Sequence, residues 1–194
     1  MTLTELYQKR FAQSCDKGTV HNYIQGYYEQ AFTPLRDLPL QILELGVWQG
    51  GSLELWNAYY TQAQIWGIDV NPLRHKPESQ RIHFVRKDAY TPECLNLFQD
   101  GTLDVIIDDG PHTLASQQWV LEHYMSKLAP SGLLIIEDIQ SPKDLEALCQ
   151  KARDLNLVWK VVDLRKDKGR YDDVILECRH QTPLNQPNPI VDKD

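Results

Sequence analysis

The chain is 194 residues long, 42% hydrophobic and 24% charged, with a net charge of −7 and a pI near 5.3. That length accommodates one domain with a sizeable core and leaves no room for a second. The acid excess argues against a broad phosphate-binding surface, because nucleic-acid binders carry a basic field, and no apolar run approaches the roughly 20 residues of a membrane span. No nucleic-acid or membrane partner is therefore expected. The N-terminus MTLTELYQKR lacks a signal-peptide core, so a cytoplasmic location follows. Cys15, Cys94, Cys149 and Cys178 are widely spaced without a C-x-x-C pair, and read as reduced thiols rather than a zinc or redox motif.

In chain order, Leu3, Leu6, Tyr7 and Phe11 fall on helical spacing, and Val20, Tyr23, Ile24, Tyr27, Tyr28 and Ala31 form a second helical set. SCDKG joins the two, with Gly18 as its pivot. Helices placed before the first strand can lie across the carboxyl edge of a sheet as a lid, with most of the aromatic stripe serving as packing surface. Lys17 and His21 do not fit such a core. Pro34 and Pro39 break the chain before LQILELG, the first central strand. ELGVWQGGS then leads into the helix of Leu53, Trp56 and Tyr60. Its glycines let the backbone approach a ligand beside a helix N-terminus, but Trp48 stands where the dinucleotide fingerprint has its second glycine.

The next strand, AQIWGID, ends in Asp69, 23 positions after Gly46, an acid placed to hold a ribose hydroxyl pair; the bland alternative is a turn residue. Asn71 and Pro72 turn the chain away. Glu44, Gly46 and Asp69 together describe a nucleoside site without a diphosphate grip, which favours an adenosyl ligand over NAD. RIHFVRKDAY supplies a third strand ending near Asp88, a carboxylate positioned for an adenine amino group. A short helix through Leu95 and Phe98 follows.

The stretch from Leu103 to Asp138 carries the densest chemistry. Val105 to Ile107 and Leu133 to Ile136 are short apolar runs rich in β-branched residues, as expected of strands buried on both faces. Asp108 and Asp109 follow the first run, Glu137 and Asp138 the second, and His112 lies three residues beyond Asp109. Ligands bind at the carboxyl ends of strands in open α/β sheets, so four carboxylates converge on one edge. Their mutual repulsion requires a compensating cation or shared protons, and an all-oxygen set suits Mg²⁺, Mn²⁺ or Ca²⁺ better than zinc; capping of the following loops is the plainer use for such acids. Between the runs, a helix from 114 to 128 ends at APSG.

Ser141, Pro142 and Asp144 open the helix of Leu145, Leu148, Cys149, Ala152 and Leu155. NLVWKVVDL and YDDVILEC are joined by RKDKGR, a link too short for a crossover helix, so they pair antiparallel. The expected fold class is α/β: a Rossmann-like, doubly wound, seven-stranded sheet, mostly parallel with a C-terminal antiparallel hairpin, under an N-terminal helical lid. Residues 1–36 are the helical cap, 37–180 the main domain and 181–194 a polar tail.

With these motifs assembled, the sequence resembles the class I S-adenosylmethionine-dependent methyltransferases over nearly its whole length. ELGVWQGGS resembles their first motif, GID their ribose-binding acid, and the terminal hairpin their ending. DKG, IIDDGPH and LLIIEDI resemble, more narrowly, the metal-dependent natural-product sugar O-methyltransferases of the mycinamicin type and the cephalosporin hydroxylase/rhamnosyl O-methyltransferase group. The resemblance implies S-adenosylmethionine and Mg²⁺ (or Mn²⁺) as cofactors, with Asp109, Glu137 and Asp138 as metal ligands and His112 as general base. It places Glu44 at the methionine amino group, Asp69 at the ribose, and Asp108 behind the metal or facing the cofactor. Lys17, Gly46, Trp48, Gly50, Ser52, Asn71 and Asp88 complete the cofactor-binding set. Sugar-modifying members carry a large additional N-terminal region, whereas about 35 residues precede the first strand here, which leaves the acceptor open.

The expected activity is O-methylation of a small hydroxylated metabolite, of glycosyl or polyketide type. Positioning the nucleophilic oxygen and removing its proton are what such a transfer needs, and imidazole titrates near neutral pH. An N-cap or turn role is the plainer use of His112. A catechol or amine acceptor and a non-catalytic S-adenosylmethionine-binding assembly protein are the alternatives; self-association into a homo-oligomer is left open.

Overall fold

The computed structural model describes residues 1–181. Seven strands make one sheet: β1 (Gln41–Leu45), β2 (Gln64–Asp69), β3 (Ile82–Arg86), β4 (Leu103–Asp108), β5 (Leu128–Ile136), β6 (Leu157–Asp163) and β7 (Val174–His180). Their spatial order is β3-β2-β1-β4-β5-β7-β6. The first five are mutually parallel, and β7 runs antiparallel to both β5 and β6. This is the Rossmann-like sheet with a terminal hairpin that the sequence predicts.

Ile42, Leu43, Ile106, Ile107, Leu134 and Ile135 are all fully buried, because helices cover both faces. One face carries α1 (Leu3–Arg10), a π-helical turn (Ile24–Tyr28) continuing into α2 (Glu29–Phe32), and α3 (Gly51–Tyr59). The other carries α4 (Pro92–Leu95), α5 (Leu114–His123) and α6 (Pro142–Asp154). A short α7 (Arg165–Lys168) lies in the β6 to β7 connection and ends at Gly169. The first face is held by aromatic packing: Trp56 of α3 is fully buried, with its ring 5.1 Å from Tyr28 and 5.3 Å from Phe32. Each such side chain contributes about 1.5–3 kcal/mol by leaving water.

The N-terminal helices pack in one layer with α3. Their second helical set starts later than its spacing suggests. The amides of Thr19, Val20 and His21 all turn back to the Asp16 carbonyl, which leaves Val20 43% exposed, and regular turns begin only at Ile24. The helix expected from 114 to 128 also ends early. After His123 it tightens into a 3-10 turn, and Leu128 already pairs with Leu103, so APSG falls inside β5. The shift of register between Leu103 and Val105 accommodates that irregular start. The expected polar tail lies, from residue 182 on, outside the described residues.

Strand order reverses at β1, with β2 and β3 to one side and β4 and β5 to the other. A crevice consequently opens at the carboxyl ends of β1 and β4, the position at which this class of sheet binds ligands.

Candidate functional site

The crevice is bounded by the turns after β1 and β4. Gly46 has φ +78°, and a Cβ there would run into the Asp109 carbonyl and Gly110 Cα, so the two turns cross backbone to backbone. The ladder extends past both strands: Gly46 N–H donates to Ile68 O and Asp109 N–H to Leu45 O, each at 2.8 Å. Asp69, at the end of β2, fixes the first turn. Its Oδ2 accepts the amides of Val47 (3.0 Å) and Trp48 (2.8 Å), and its Oδ1 that of Asn71 (2.8 Å). A cavity of about 780 Å³ lies against these turns, lined by Asp69, Asn71, Asp88, Asp109, His112 and Asp138 among others.

The strand-end acids divide into two groups. On the inner side, the Lys17 ammonium donates to Asp109 Oδ2 at 2.6 Å and Glu137 Oε2 at 2.5 Å, and lies 3.3 Å from Glu44 Oε1. Tyr28 donates its hydroxyl to Glu137 Oε1, and Trp56 Nε1–H donates to Glu44 Oε2 at 3.0 Å. On the cavity side, Asp138 Oδ1 accepts the Tyr23 hydroxyl at 2.5 Å and lies 3.4 Å from His21 Nδ1, which is itself 2.6 Å from Asp173 Oδ1. Asp109 Oδ1 and Asp138 Oδ2 accept no hydrogen bond among the described residues. His112 Nε2 stands 3.9 Å from the first and 3.6 Å from the second.

This electrostatic arrangement is set by burial. Burial opposes the charge on Lys17, but Asp109, Glu137 and Glu44 outweigh it and hold the ammonium well above its ordinary pKa. Burial raises the Glu44 carboxyl against the pull of Lys17. Asp138 is raised by burial and by Asp109, with His21 and Tyr23 acting the other way. Asp108, fully enclosed, is pushed up to about 7 by burial, although the Tyr90 hydroxyl donates to it at 2.5 Å. Acids so disposed keep protons or take a cation. Asp109, His112 and Asp138 can each bring one ligand atom to a common ion, and a donor set rich in oxygen suits Mg²⁺ or Mn²⁺.

Backbone strain marks the same place. Trp48 (φ 44°), His112 (φ 53°) and Asp138 (φ 54°) are three of only four non-glycine residues with left-handed backbone among those described, and all three line the cavity. Each such conformation costs about 1–3 kcal/mol, and such strain concentrates at functional sites. The Nδ1 of His112 is buried without a hydrogen-bond partner.

Of the residues expected from sequence, Lys17, Gly46, Trp48 and Ser52 also reach the cavity wall. Glu44, Asp108 and Glu137 do not: all three are at most 2% exposed and lie behind it. Gly50, at the N-cap of α3, faces a neighbouring hollow instead. Sequence reasoning missed Tyr23, Tyr28 and Tyr90 as partners of the acids, and Asp173 as the partner of His21. Most buried tyrosine hydroxyls find a hydrogen-bond partner, and that tendency was the available signal.

A family model described as a methyltransferase domain matches residues 43–139. The 8-demethyl-8-alpha-L-rhamnosyl tetracenomycin-C 2'-O-methyltransferase of Streptomyces olivaceus is 34% identical over 136 residues, 65% of this chain and 35% of that protein. The mycinamicin VI 2''-O-methyltransferase of Micromonospora griseorubida is 30% identical over 146 residues, 71% of this chain and 36% of that protein. The chain spans about a third of the length of these curated relatives. Among solved structures, the MycE methyltransferase in complex with Mg, SAH and mycinamycin VI shares the fold, with a TM-score of 0.74, 20% identity, and coverage of 100% of this chain and 57% of that one. The matched segment runs from β1 to just past β5 and carries Glu44, Gly46, Asp69, Asp109, His112 and Asp138, and the chain belongs to this family of methyltransferase domains.

Proposed function

We propose that the chain is an S-adenosylmethionine- and Mg²⁺-dependent O-methyltransferase acting on a hydroxyl of a small metabolite, of glycosyl or polyketide type. The observation that carries this reading is the meeting of Asp109 Oδ1, Asp138 Oδ2 and His112 Nε2 on the wall of a cavity that the glycine turn also lines. The relatives named for O-methylation of rhamnosyl and mycinamicin substrates support the acceptor class. The four cysteines are all buried thiols, in keeping with a cytoplasmic enzyme.

When bound, S-adenosylmethionine supplies an electrophilic methyl group and Mg²⁺ a Lewis acid that acidifies an alcohol. Asp69 would take the ribose side of the cofactor and Asp88 its adenine, both residues lining the cavity. Asp109 and Asp138 would hold the cation, each having one carboxylate oxygen that accepts no hydrogen bond among the described residues. Tyr23 and His21 fix Asp138 from behind through its other oxygen, so that Oδ2 faces the cavity. His112 would take the hydroxyl proton of the acceptor at Nε2, while bound S-adenosylmethionine would supply the methyl group. The His112 backbone is held at a left-handed φ of 53° beside the cavity.

One observation favours a second role for this residue: Nε2 lies within reach of both carboxylates, as a third ligand would. The nitrogen cannot ligate and accept a proton at once. In a His112→Ala variant, lost turnover with retained Mn²⁺ binding identifies the base; loss of both identifies the ligand. The function itself is tested by calorimetric titration with S-adenosylhomocysteine and by methylation of a panel of rhamnosyl glycosides. Binding that survives chelation, with turnover that does not, is expected. Turnover unchanged in excess chelator would reject the metal role, and no S-adenosylhomocysteine binding would reject the whole reading.

A further inference from the structure

Three tyrosines next to the strand-end acids sit on an uncommon backbone. Ile24–Tyr28 is a π-helical turn, and the Glu29 N–H that closes it returns to the Ile24 carbonyl, five residues back. At 3.6 residues per turn, an α-helix would set Tyr28 roughly 140° around its axis from Tyr23. The wider turn closes that gap, and its extra length falls on Gln25 and Gly26, which are exposed. Tyr23, Tyr27 and Tyr28 are buried, and all three hydroxyls donate to acids on β7 or just past β5. Tyr23 donates to Asp138 Oδ1 at 2.5 Å, Tyr28 to Glu137 Oε1, and Tyr27 to Glu177 Oε2 at 2.8 Å. Glu177 lies on β7 opposite Ile135, two residues before Glu137. Each phenol occupies one oxygen of its acid. Asp138 Oδ2 stays on the cavity side, 3.6 Å from His112 Nε2, and Glu137 Oε2 is turned toward Asp109, the two acids meeting at the Lys17 ammonium.

We propose that Tyr23 and Tyr28 are positioning residues of the cation site: the π-helical turn aims their hydroxyls at the consecutive acids Asp138 and Glu137, and each hydroxyl, by taking one carboxylate oxygen, sets the direction of the other. A neutral phenol suits this task, because it donates a hydrogen bond to the carboxylate without bringing a positive charge to compete with a cation. The rings are themselves held. Tyr28 packs 4.7 Å from Phe32 and 5.1 Å from Trp56, and Tyr23 stacks on His21 at 4.9 Å, so each hydroxyl is delivered from a fixed direction. This gives the π-helical turn a use, in keeping with the concentration of such turns at functional sites. The inference rests on the proposed Mg²⁺-dependent reading, taken with the ligand set of Asp109, Glu137 and Asp138 expected from sequence.

The test is Mn²⁺ binding to the full chain without substrate, followed through loss of the free-ion electron paramagnetic resonance signal. Tyr27→Phe is the control, since it removes a buried hydroxyl from the same turn while its acid, Glu177, lies on β7 outside the strand-end cluster. Wild type should bind Mn²⁺. Tyr23→Phe and Tyr28→Phe should each raise the Kd about tenfold or more, whereas Tyr27→Phe should leave it within about threefold of wild type. A Kd within that threefold range in either Tyr23→Phe or Tyr28→Phe would overturn the proposal. Equal weakening by Tyr27→Phe would also overturn it, because the effect would then follow from the loss of any buried hydroxyl in the turn. Should one of the two variants not fold, the other decides against the same control. A wild-type chain that binds no Mn²⁺ would remove the cation site itself, and the positioning role with it; Mn²⁺ binding unaffected by the two variants would overturn the positioning role and leave the site standing.

Discussion

Asp108→Asn isolates a single buried carboxyl. Asp108 is 2% exposed at the end of β4, accepts the Tyr90 hydroxyl at 2.5 Å, and is pushed up to about 7 from 3.8 by burial. Its folded-state pKa lies above the unfolded one, so its contribution is fully present below pH 3.8 and is lost as pH rises through about 7. At about 1.4 kcal/mol per pH unit, the part lost between pH 5 and pH 8 is about 2–3 kcal/mol. The asparagine holds no proton to lose. In chelator, urea unfolding followed at several pH values should show that wild type loses about 2–3 kcal/mol more than Asp108→Asn across that interval. A constant offset from placing an amide beside the Tyr90 hydroxyl would shift the variant's curve without changing its slope. Parallel curves for the two proteins would refute the assignment.

Other substitutions reach other parts of the account. Trp56→Phe removes the donor to Glu44 Oε2 and leaves a void in the aromatic layer, so a loss of about 2–4 kcal/mol is expected in urea unfolding, and a loss below 1 would contradict the packing described. Gly46→Ala forces a Cβ against the Asp109 carbonyl at a left-handed position, and should abolish S-adenosylhomocysteine binding in calorimetry even where a folded protein is recovered. None of the four buried cysteines should react with a thiol reagent at pH 8 until urea is added, burial having pushed Cys15 and Cys178 up to about 12; rapid labelling of the native chain would contradict this.

The architecture was legible because its signals are local. Strands such as Val105 to Ile107 are apolar without interruption since both faces are covered, and the short link RKDKGR permits only an antiparallel return. The acids at strand ends were legible too, since strand polarity alone delivers them to one edge. How they are shared was not. Lys17 meets Asp109 across 92 residues and Glu137 across 120, and no periodicity records such a pairing. Tyr23 and Tyr28 read as packing surface, which their rings are, while their hydroxyls are the groups that take one oxygen each from Asp138 and Glu137. The late start of the second helical set was hidden for a similar reason, since it depends on three amides converging on the Asp16 carbonyl.

The most direct measurement is anomalous diffraction at the manganese edge from crystals grown with Mn²⁺ and S-adenosylhomocysteine. The account predicts one peak bridging Asp109 Oδ1 and Asp138 Oδ2 beside the nucleoside's sulfur. A peak elsewhere, or none with those carboxylates turned apart, would contradict it.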